Sequence, residues 1–178
     1  PSNPSGLWNP AFDFKANESG CTFERRIDGA PWVVVTSIDT LPGLPNGTHT
    51  YEIRAIDAAG NIDPTPASHT WVLDTLLPET TITSAPPNPS NDLTPTFTFT
   101  SSEAGSSFER RYDGSTWKPV LSPNTLPFLS NGSHTVEVRA IDPAGNIDPT
   151  PATYTWTIDT IGPETSITFT PPNLSSSD

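Results

Sequence analysis

The sequence lacks methionine, contains one cysteine and has few basic residues, 8 Lys and Arg against 20 Asp and Glu. The single Cys21 makes an internal disulfide impossible, which neither proves nor excludes secretion. Phosphate backbones would repel the formal net charge of −12, so nucleic acid is not an expected partner. An acidic surface of this kind suits a soluble extracellular protein or a protein that collects cations.

Patterns of two other kinds are also missing. A membrane-spanning helix needs about 18 apolar residues in one run, and no run here approaches that length, so we expect no membrane span in this segment. No stretch of ten residues keeps a helical period free of proline or glycine, and the chain contains 22 Pro and 11 Gly. The sequence has no phosphate-binding loop, no zinc-type spacing and no Cys–His pair. We therefore predict that the protein is not an enzyme and requires no cofactor.

The chain does contain an internal repeat, in which the second half aligns with the first without gaps. The segment Phe23–Trp32, FERRIDGAPW, aligns with Phe108–Trp117, FERRYDGSTW, and 49 of the 85 aligned positions are identical. A gapless period of this size indicates one self-contained unit used in tandem. A unit of about 85 residues is long enough for a small independent core.

The repeat predicts the domain organisation. Residues 1–77 are repeat 1, whose first strand is absent from the chain. Residues 78–162 are repeat 2, and residues 163–178 begin a following repeat with its first strand. Because the chain starts at Pro1 and has no methionine, we expect a processed or excised piece of a longer protein.

Alternating apolar and polar residues predict short strands rather than helices. The alternation is plain in Thr94–Ser101, Ser107–Asp113, His134–Asp142 and Ala152–Asp159, with Asp-Gly, Asn-Gly and Ala-Gly-Asn turns nearby. About seven strands in each repeat, together with a buried Trp, predict an all-β protein of two tandem Ig-like β-sandwich domains. The residues predicted to share the core of the second domain are Phe97, Phe99, Phe108, Val136, Val138 and Trp156.

The repeated motifs resemble those of bacterial Ig-like repeats in large secreted and cell-surface proteins. The run Arg139–Ala152, RAIDPAGNIDPTPA, carries the resemblance together with Asn-Gly-Ser-His-Thr before it and Trp…Asp-Thr…Pro after it, and the first repeat matches in the same places. The resemblance covers almost the whole chain twice. It implies stalk or adhesive modules of the Ig-like fold, and some relatives of this kind bind calcium.

The two Asp-x-x-Gly-Asn-x-Asp turns are candidate calcium sites, because calcium prefers six to eight oxygen ligands. An Asp at each joint is a further candidate ligand. The alternative is a tight turn, in which Asp and Asn bond their own backbone and Gly supplies a positive φ. The candidate ligands are Asp57, Asn61, Asp63, Asp74, Asp142, Asn146, Asp148 and Asp159.

Two further features suggest surface chemistry. Trp32 and Trp117 follow Asp-Gly turns, where an indole either stacks on a sugar ring or covers the edge of the sandwich. Four sequons mark candidate glycosylation sites, although Asn-Gly is also the best turn dipeptide. The sequon residues are Asn17, Asn46, Asn131 and Asn173.

The C-terminal end repeats a strand. The stretch Glu79–Thr83 is predicted to begin repeat 2, and a second copy with the same pattern lies beyond that repeat. Either the chain was cut from a longer array, or the tail of one chain completes the first domain of the next by strand addition. The predicted strand-donating residues are Glu164, Thr165, Ser166, Ile167 and Thr168.

These observations predict an extracellular structural repeat protein that forms a cell-surface stalk or a head-to-tail filament. The expected partners are neighbouring copies or adjacent repeats. The alternative is an adhesive or carbohydrate-binding module of a surface protein. In that case the hairpins around residues 29–39 and 114–124, where the two repeats diverge, would carry recognition.

Overall fold

The computed structural model describes residues 3, 5, 6, 9–41 and 43–169. These residues form thirteen strands and no helix, so none of them supplies an apolar helix that crosses a membrane. The strands of the first repeat are β1 Ala11–Phe12, β2 Thr22–Ile27, β3 Val33–Val35, β4 Asp39–Thr40, β5 Gly47–Ile56 and β6 Ala67–Leu73. The strands of the second repeat are β7 Thr80–Ser84, β8 Thr96–Ser101, β9 Ser107–Tyr112, β10 Lys118–Val120, β11 Asn124–Thr125, β12 Gly132–Ile141 and β13 Ala152–Ile158.

In the second repeat a three-stranded sheet, in the order β11-β8-β7, packs on a four-stranded sheet, in the order β10-β9-β12-β13. All strand pairs named in these sheets are antiparallel. Inside β12 the buried residues alternate with half-buried ones, because successive side chains of a strand point to opposite faces. The all-β, tandem Ig-like β-sandwich prediction is confirmed.

The core of the second repeat lies between the two sheets. Trp156 is fully buried and meets the Phe97 ring at 5.2 Å between centroids. Five of the six predicted core residues are buried, and Phe108 is half-buried against the same cluster. The core prediction is therefore confirmed for this repeat.

The first repeat has the same four-stranded sheet, β3-β2-β5-β6, but its second sheet consists, among the described residues, of β1 and β4. Trp71, Tyr51, Leu41 and Leu73 are buried in its core, while Phe12 and Phe14 remain half-buried. The two repeats thus share an architecture but differ at one sheet edge.

An Asp-Gly turn in each repeat is anchored by a histidine. Asp113 and Gly114 have φ values of 47° and 71°, which a two-residue hairpin of this twist requires. The Asp113 carboxylate accepts the Thr135 amide at 2.9 Å and lies 2.8 Å from His134 Nδ1. The hydrogen bond with Asp113 raises the pKa of His134 in spite of the burial that lowers it. His134 therefore has a structural role at the start of β12.

We predict that Trp156→Ala destabilises the second repeat by about 3–5 kcal/mol, because it removes a large aromatic side chain from a closed core. Denaturant unfolding followed by circular dichroism measures the loss. The matched control is Thr157→Ala on the exposed face of the same strand, which we expect to stay within about 0.5 kcal/mol of wild type. Equal losses in both variants would contradict the assigned core.

Candidate functional site

The joint between the repeats is an ordered contact. The linker after β6 passes the turn that follows β12, where Asn146 Nδ2 donates to the Asp74 carbonyl oxygen at 2.9 Å. Gly6 of the first repeat lies against the same turn. A Cβ on Gly6 would lie 2.8 Å from Asn146 Oδ1 and 3.2 Å from the Ala144 carbonyl oxygen. The close packing explains why this position favours glycine.

Three carboxylates converge at this joint. Carboxylate oxygens of Asp74, Glu103 and Asp142 lie within 4.8 Å of one another, and Asp142 is buried. Burial raises the pKa of Glu103, and the neighbouring charges of Asp74 and Asp142 raise it further. Among the described residues this is the one cluster of three or more acidic, His or Cys side chains with the spacing of a metal site.

Sequence reasoning placed Asp74 and Asp142 among the metal candidates but missed Glu103. The repeated Glu-x-Gly motif, with Glu18 in the first repeat and Glu103 in the second, was the available signal. The motif lies far from residue 142 in sequence, so only folding brings these side chains together.

The Asp-x-x-Gly-Asn-x-Asp turns are closed by their own hydrogen bonds. Asp142 Oδ1 accepts the Asn146 amide, and Asp142 Oδ2 accepts Asn146 Nδ2, both at 2.8 Å. Asp57 accepts the same two groups from Asn61. The geometry matches the turn interpretation at both positions.

The carboxylates of the remaining metal candidates also accept hydrogen bonds from backbone amides. Asp63 accepts the Thr65 amide, and Asp159 accepts the Ile161 amide. Asp148 accepts the Thr150 amide through one oxygen and the Thr80 amide through the other. The structure does not bring these three carboxylates to the cluster at the joint.

A second feature is the edge strand β7. The Thr80 amide donates to Asp148 Oδ2 at 2.9 Å, and the Thr80 hydroxyl accepts the Ala140 amide at 2.8 Å. Further along, Ile82 pairs with Phe99 of β8 and packs on the core. The strand β7 therefore joins both sheets of the second repeat.

The predicted strand-donating segment, Glu164–Thr168, lies outside any named strand and is exposed. Ile167 is 82% exposed, and Phe169 next to the segment is 79% exposed. The structure contains a single chain, so the predicted pairing with a second copy stays a prediction.

The two turn-side tryptophans stack on arginines. Trp117 lies under the guanidinium carbons of Arg139 and Arg111, at 4.3 and 4.7 Å from its ring centroid. Trp32 makes the same contacts with Arg54 and Arg26. These arginines also pair with Glu residues on the neighbouring strand. Each indole thus makes cation–π contacts with two arginines, and sugar stacking by these tryptophans stays a prediction.

The equivalent sequon residues Asn46 and Asn131 have a structural use. Each side-chain oxygen accepts the amide and hydroxyl of a threonine at the end of its repeat, Thr75 and Thr160 respectively. Both asparagines are exposed, as is Asn17. Asn173 lies outside the described residues. Glycosylation stays a prediction for all four.

Comparisons with known proteins identify the fold. The fibronectin(III)-like modules of CbhA from Clostridium thermocellum share 14% sequence identity with the chain at a TM-score of 0.57, covering 93% of this chain and 94% of that one. Murine CEACAM1b has a TM-score of 0.41 at 13% identity, covering 81% and 88%. No family model and no curated protein matches the sequence. The chain has an Ig/fibronectin III-like fold.

We predict that Glu103→Gln stabilises the protein at neutral pH by about 0.2–1 kcal/mol, the scale of partly exposed charge interactions. A carboxyl group whose pKa is raised on folding makes its full contribution to the free energy of unfolding at a pH below its unfolded pKa of roughly 4.3. That contribution is lost as the pH rises through the pKa of the folded state. The neutral Gln avoids that loss. Calorimetry at pH 4 and pH 7 should show the variant gaining only at the higher pH, and a gain of the same size at both would contradict the cluster.

Proposed function

We propose that the chain is a structural segment of an extracellular or cell-surface protein, in which β-sandwich repeats follow one another head to tail as a stalk or filament. Many cell-surface proteins use sandwich domains of this kind. The acidic surface suits such a location, since net charge keeps a protein soluble and separate from its neighbours. The protein then acts by length and stiffness, without a catalytic site.

The observation that carries this proposal is the position of the two joints on the second repeat. The joint with the first repeat lies beside Asn146, after the C-terminal end of β12. The exit towards residue 163 lies beside Asn131, before the N-terminal end of β12, where Thr160 is held. Ten residues of strand separate these ends by about 34 Å. Repeats joined in this way extend along one direction.

An adhesive module is the second candidate. The hairpin edge of the first repeat exposes apolar side chains, with Val34 70% and Ile38 65% exposed. The second repeat exposes Leu121 in the equivalent hairpin. Val34, Ile38 and Leu121 lie in the segments in which the two repeats diverge, as recognition surfaces in a repeat protein would.

Calcium at the joint would reinforce a stalk. The cluster of Asp74, Glu103 and Asp142 combines residues of both repeats, so an ion held there would fasten one repeat to the next. Three carboxylates supply up to six oxygens, which fits the number that calcium prefers. The ion would also neutralise the repulsion that raises the pKa of Glu103.

The proposal predicts an extended chain with a defined joint. A compact globule of this length has a radius of gyration of about 16 Å, and we expect small-angle X-ray scattering to give a clearly larger value. Asn146→Ala removes the hydrogen bond to Asp74 and should broaden the distribution of inter-repeat distances. Asn61→Ala, which removes the same turn bond away from the joint, is the matched control. A radius equal to that of the compact globule would contradict the proposal.

Calcium binding has its own test. A ligand that binds only the folded state increases the free energy of unfolding, by about 2.7 kcal/mol when its concentration is 100 times Kd. The melting temperature rises as a result. We expect calcium to raise the melting temperature of the wild type and to leave Glu103→Gln unchanged. Glu18→Gln, at the equivalent position of the first repeat, should respond like the wild type. No heat of binding at millimolar calcium would contradict the site.

A further inference from the structure

A buried histidine near the start of β5 lies between two hydrogen-bond acceptors. His49 Nδ1 lies 2.8 Å from Asp28 Oδ2, and His49 Nε2 lies 2.7 Å from the Pro45 carbonyl oxygen. The other oxygen of Asp28 accepts the Thr50 amide at 2.7 Å. His49 is 5% exposed, and its ring centroid lies 5.6 Å from that of Trp71. The two acceptors therefore replace water at both ring nitrogens.

This arrangement requires the charged form of the imidazole. A neutral imidazole has one N–H group and one lone pair, whereas the imidazolium ion has two N–H groups. Neither a carbonyl oxygen nor an ionised carboxylate has a hydrogen to donate. Burial raises the pKa of Asp28, but hydrogen bonds from His49 and the Thr50 amide outweigh it and lower the pKa. Asp28 is thus ionised at neutral pH, and only the imidazolium ion of His49 makes both hydrogen bonds.

The sign of the pH dependence follows from the pKa of His49. Burial lowers this pKa, but the hydrogen bonds to the Pro45 carbonyl oxygen and to Asp28 outweigh it and raise the pKa. The two hydrogen bonds make their full contribution to the free energy of unfolding at a pH below the unfolded histidine pKa of about 6.5. That contribution is lost as the pH rises through the pKa of the folded state.

Other titratable side chains lie near His49 on the core side of the sheets. They are Tyr51 of β5, His69 of β6, and Arg25 of β2 in an ion pair with Asp39 of β4. Burial and the charge of Asp39 raise the pKa of Tyr51, so the phenol stays neutral near pH 7. The opposite charges of Arg25 and Asp39 offset each other, and solvent screens the exposed His69. Asp28 is therefore the charge that stabilises the proton on His49.

His49 is connected to the joint between the repeats by consecutive hydrogen bonds. The residue after Pro45 is Asn46, whose side-chain oxygen accepts the amide and the hydroxyl of Thr75 at 3.0 and 2.8 Å. Thr75 follows Asp74, whose carbonyl oxygen accepts a hydrogen bond from the second repeat at 2.9 Å. The position of the loop at residues 45–46 therefore affects the linker that orients the second repeat.

We propose that His49 is a pH-dependent clamp, whose imidazolium form holds the loop at Pro45 and Asn46 against the linker and whose deprotonation releases that loop. The Nδ1 proton stays with Asp28, because a charged acceptor makes the stronger hydrogen bond. The Nε2 lone pair then faces the Pro45 carbonyl oxygen, and repulsion between these two acceptors displaces the loop. The joint is thus more rigid in weak acid than in mild alkali. The use of the clamp in a stalk rests on the proposed function.

The second repeat contains the same arrangement. His134 lies 2.8 Å from Asp113 and 2.9 Å from the Ser130 carbonyl oxygen. Asn131, the next residue, accepts the amide and the hydroxyl of Thr160. The titratable side chains near His134 on the core side are Arg110 and Tyr112 of β9 and Tyr154 of β13. The linker segment after each repeat is therefore held in the same way, and one repeat serves as the control for the other.

Nitrogen NMR of the full chain tests the charge directly, because the shifts of the two ring nitrogens distinguish the imidazolium ion from either neutral tautomer. We expect both ring nitrogens of His49 to carry protons at pH 7, with a titration midpoint above the ordinary histidine pKa of about 6.5. The methyl resonance of Thr75, whose hydroxyl bonds Asn46, should shift with the same midpoint.

Asp28→Asn is the matched variant. Asp28 has a φ of 50°, a conformation that asparagine adopts readily, so the turn is retained while the charge is removed. The midpoints of His49 and of the Thr75 methyl should fall together, and those of the second repeat should keep their wild-type values. Asp113→Asn should lower the midpoint of His134 and leave that of His49 unchanged.

A neutral His49 at pH 7, or a Thr75 methyl that does not titrate with His49, would overturn the inference. The wild-type chain decides both points without any variant. These results are distinguishable from failure of the proposed function, which the scattering experiment tests. An extended chain with a neutral His49 overturns the clamp alone. A compact chain in which His49 and Thr75 titrate together contradicts the stalk and supports the clamp.

Discussion

The structure of the second repeat depends on the burial of one carboxylate. Asp148 is 1% exposed, and a buried charge is tolerated only when hydrogen bonds replace its lost water. Burial raises the pKa of Asp148, but hydrogen bonds from Thr80 and Thr150 outweigh it and lower the pKa. One of those donors is the first residue of β7, which also accepts the Ala140 amide. Thr80, at the start of the edge strand β7, is thereby bonded to both sheets of the second repeat.

This arrangement couples the fold of a repeat to the joint before it. The linker leaves β6 at Leu73, contacts Asn146 through Asp74 and enters β7 at Thr80. The same short segment therefore orients one repeat on the next and closes the sandwich that follows. The first repeat, described without such a strand, keeps its aromatic core but leaves an apolar groove. A joint of this kind couples the packing of the second repeat to its contact with the first.

Much of this architecture was predictable from the sequence. Period-two alternation located β8, β9, β12 and β13, and the gapless repeat placed the counterparts of β9, β12 and β13 in the first half, whereas the counterpart of β8 is only two residues long. These predictions succeed because a strand with one buried and one exposed face shows alternating apolar and polar residues in its sequence. The turn interpretation of the Asp-x-x-Gly-Asn-x-Asp motif agrees with the geometry for a similar reason, since Asp142 bonds residues only four positions away.

The sequence by itself thus determined the repeat unit, the strands, the tight turns and the aromatic core, because each depends on neighbouring residues or on a local alternation. Only the tertiary structure decided which carboxylates meet at the joint, since Glu103 and Asp74 reach Asp142 from distant parts of the chain. It alone also decided that identical residues such as Ala55 and Ala140 differ in burial. The burial of a side chain depends on which element packs against it, and the identity of the residue does not determine that element.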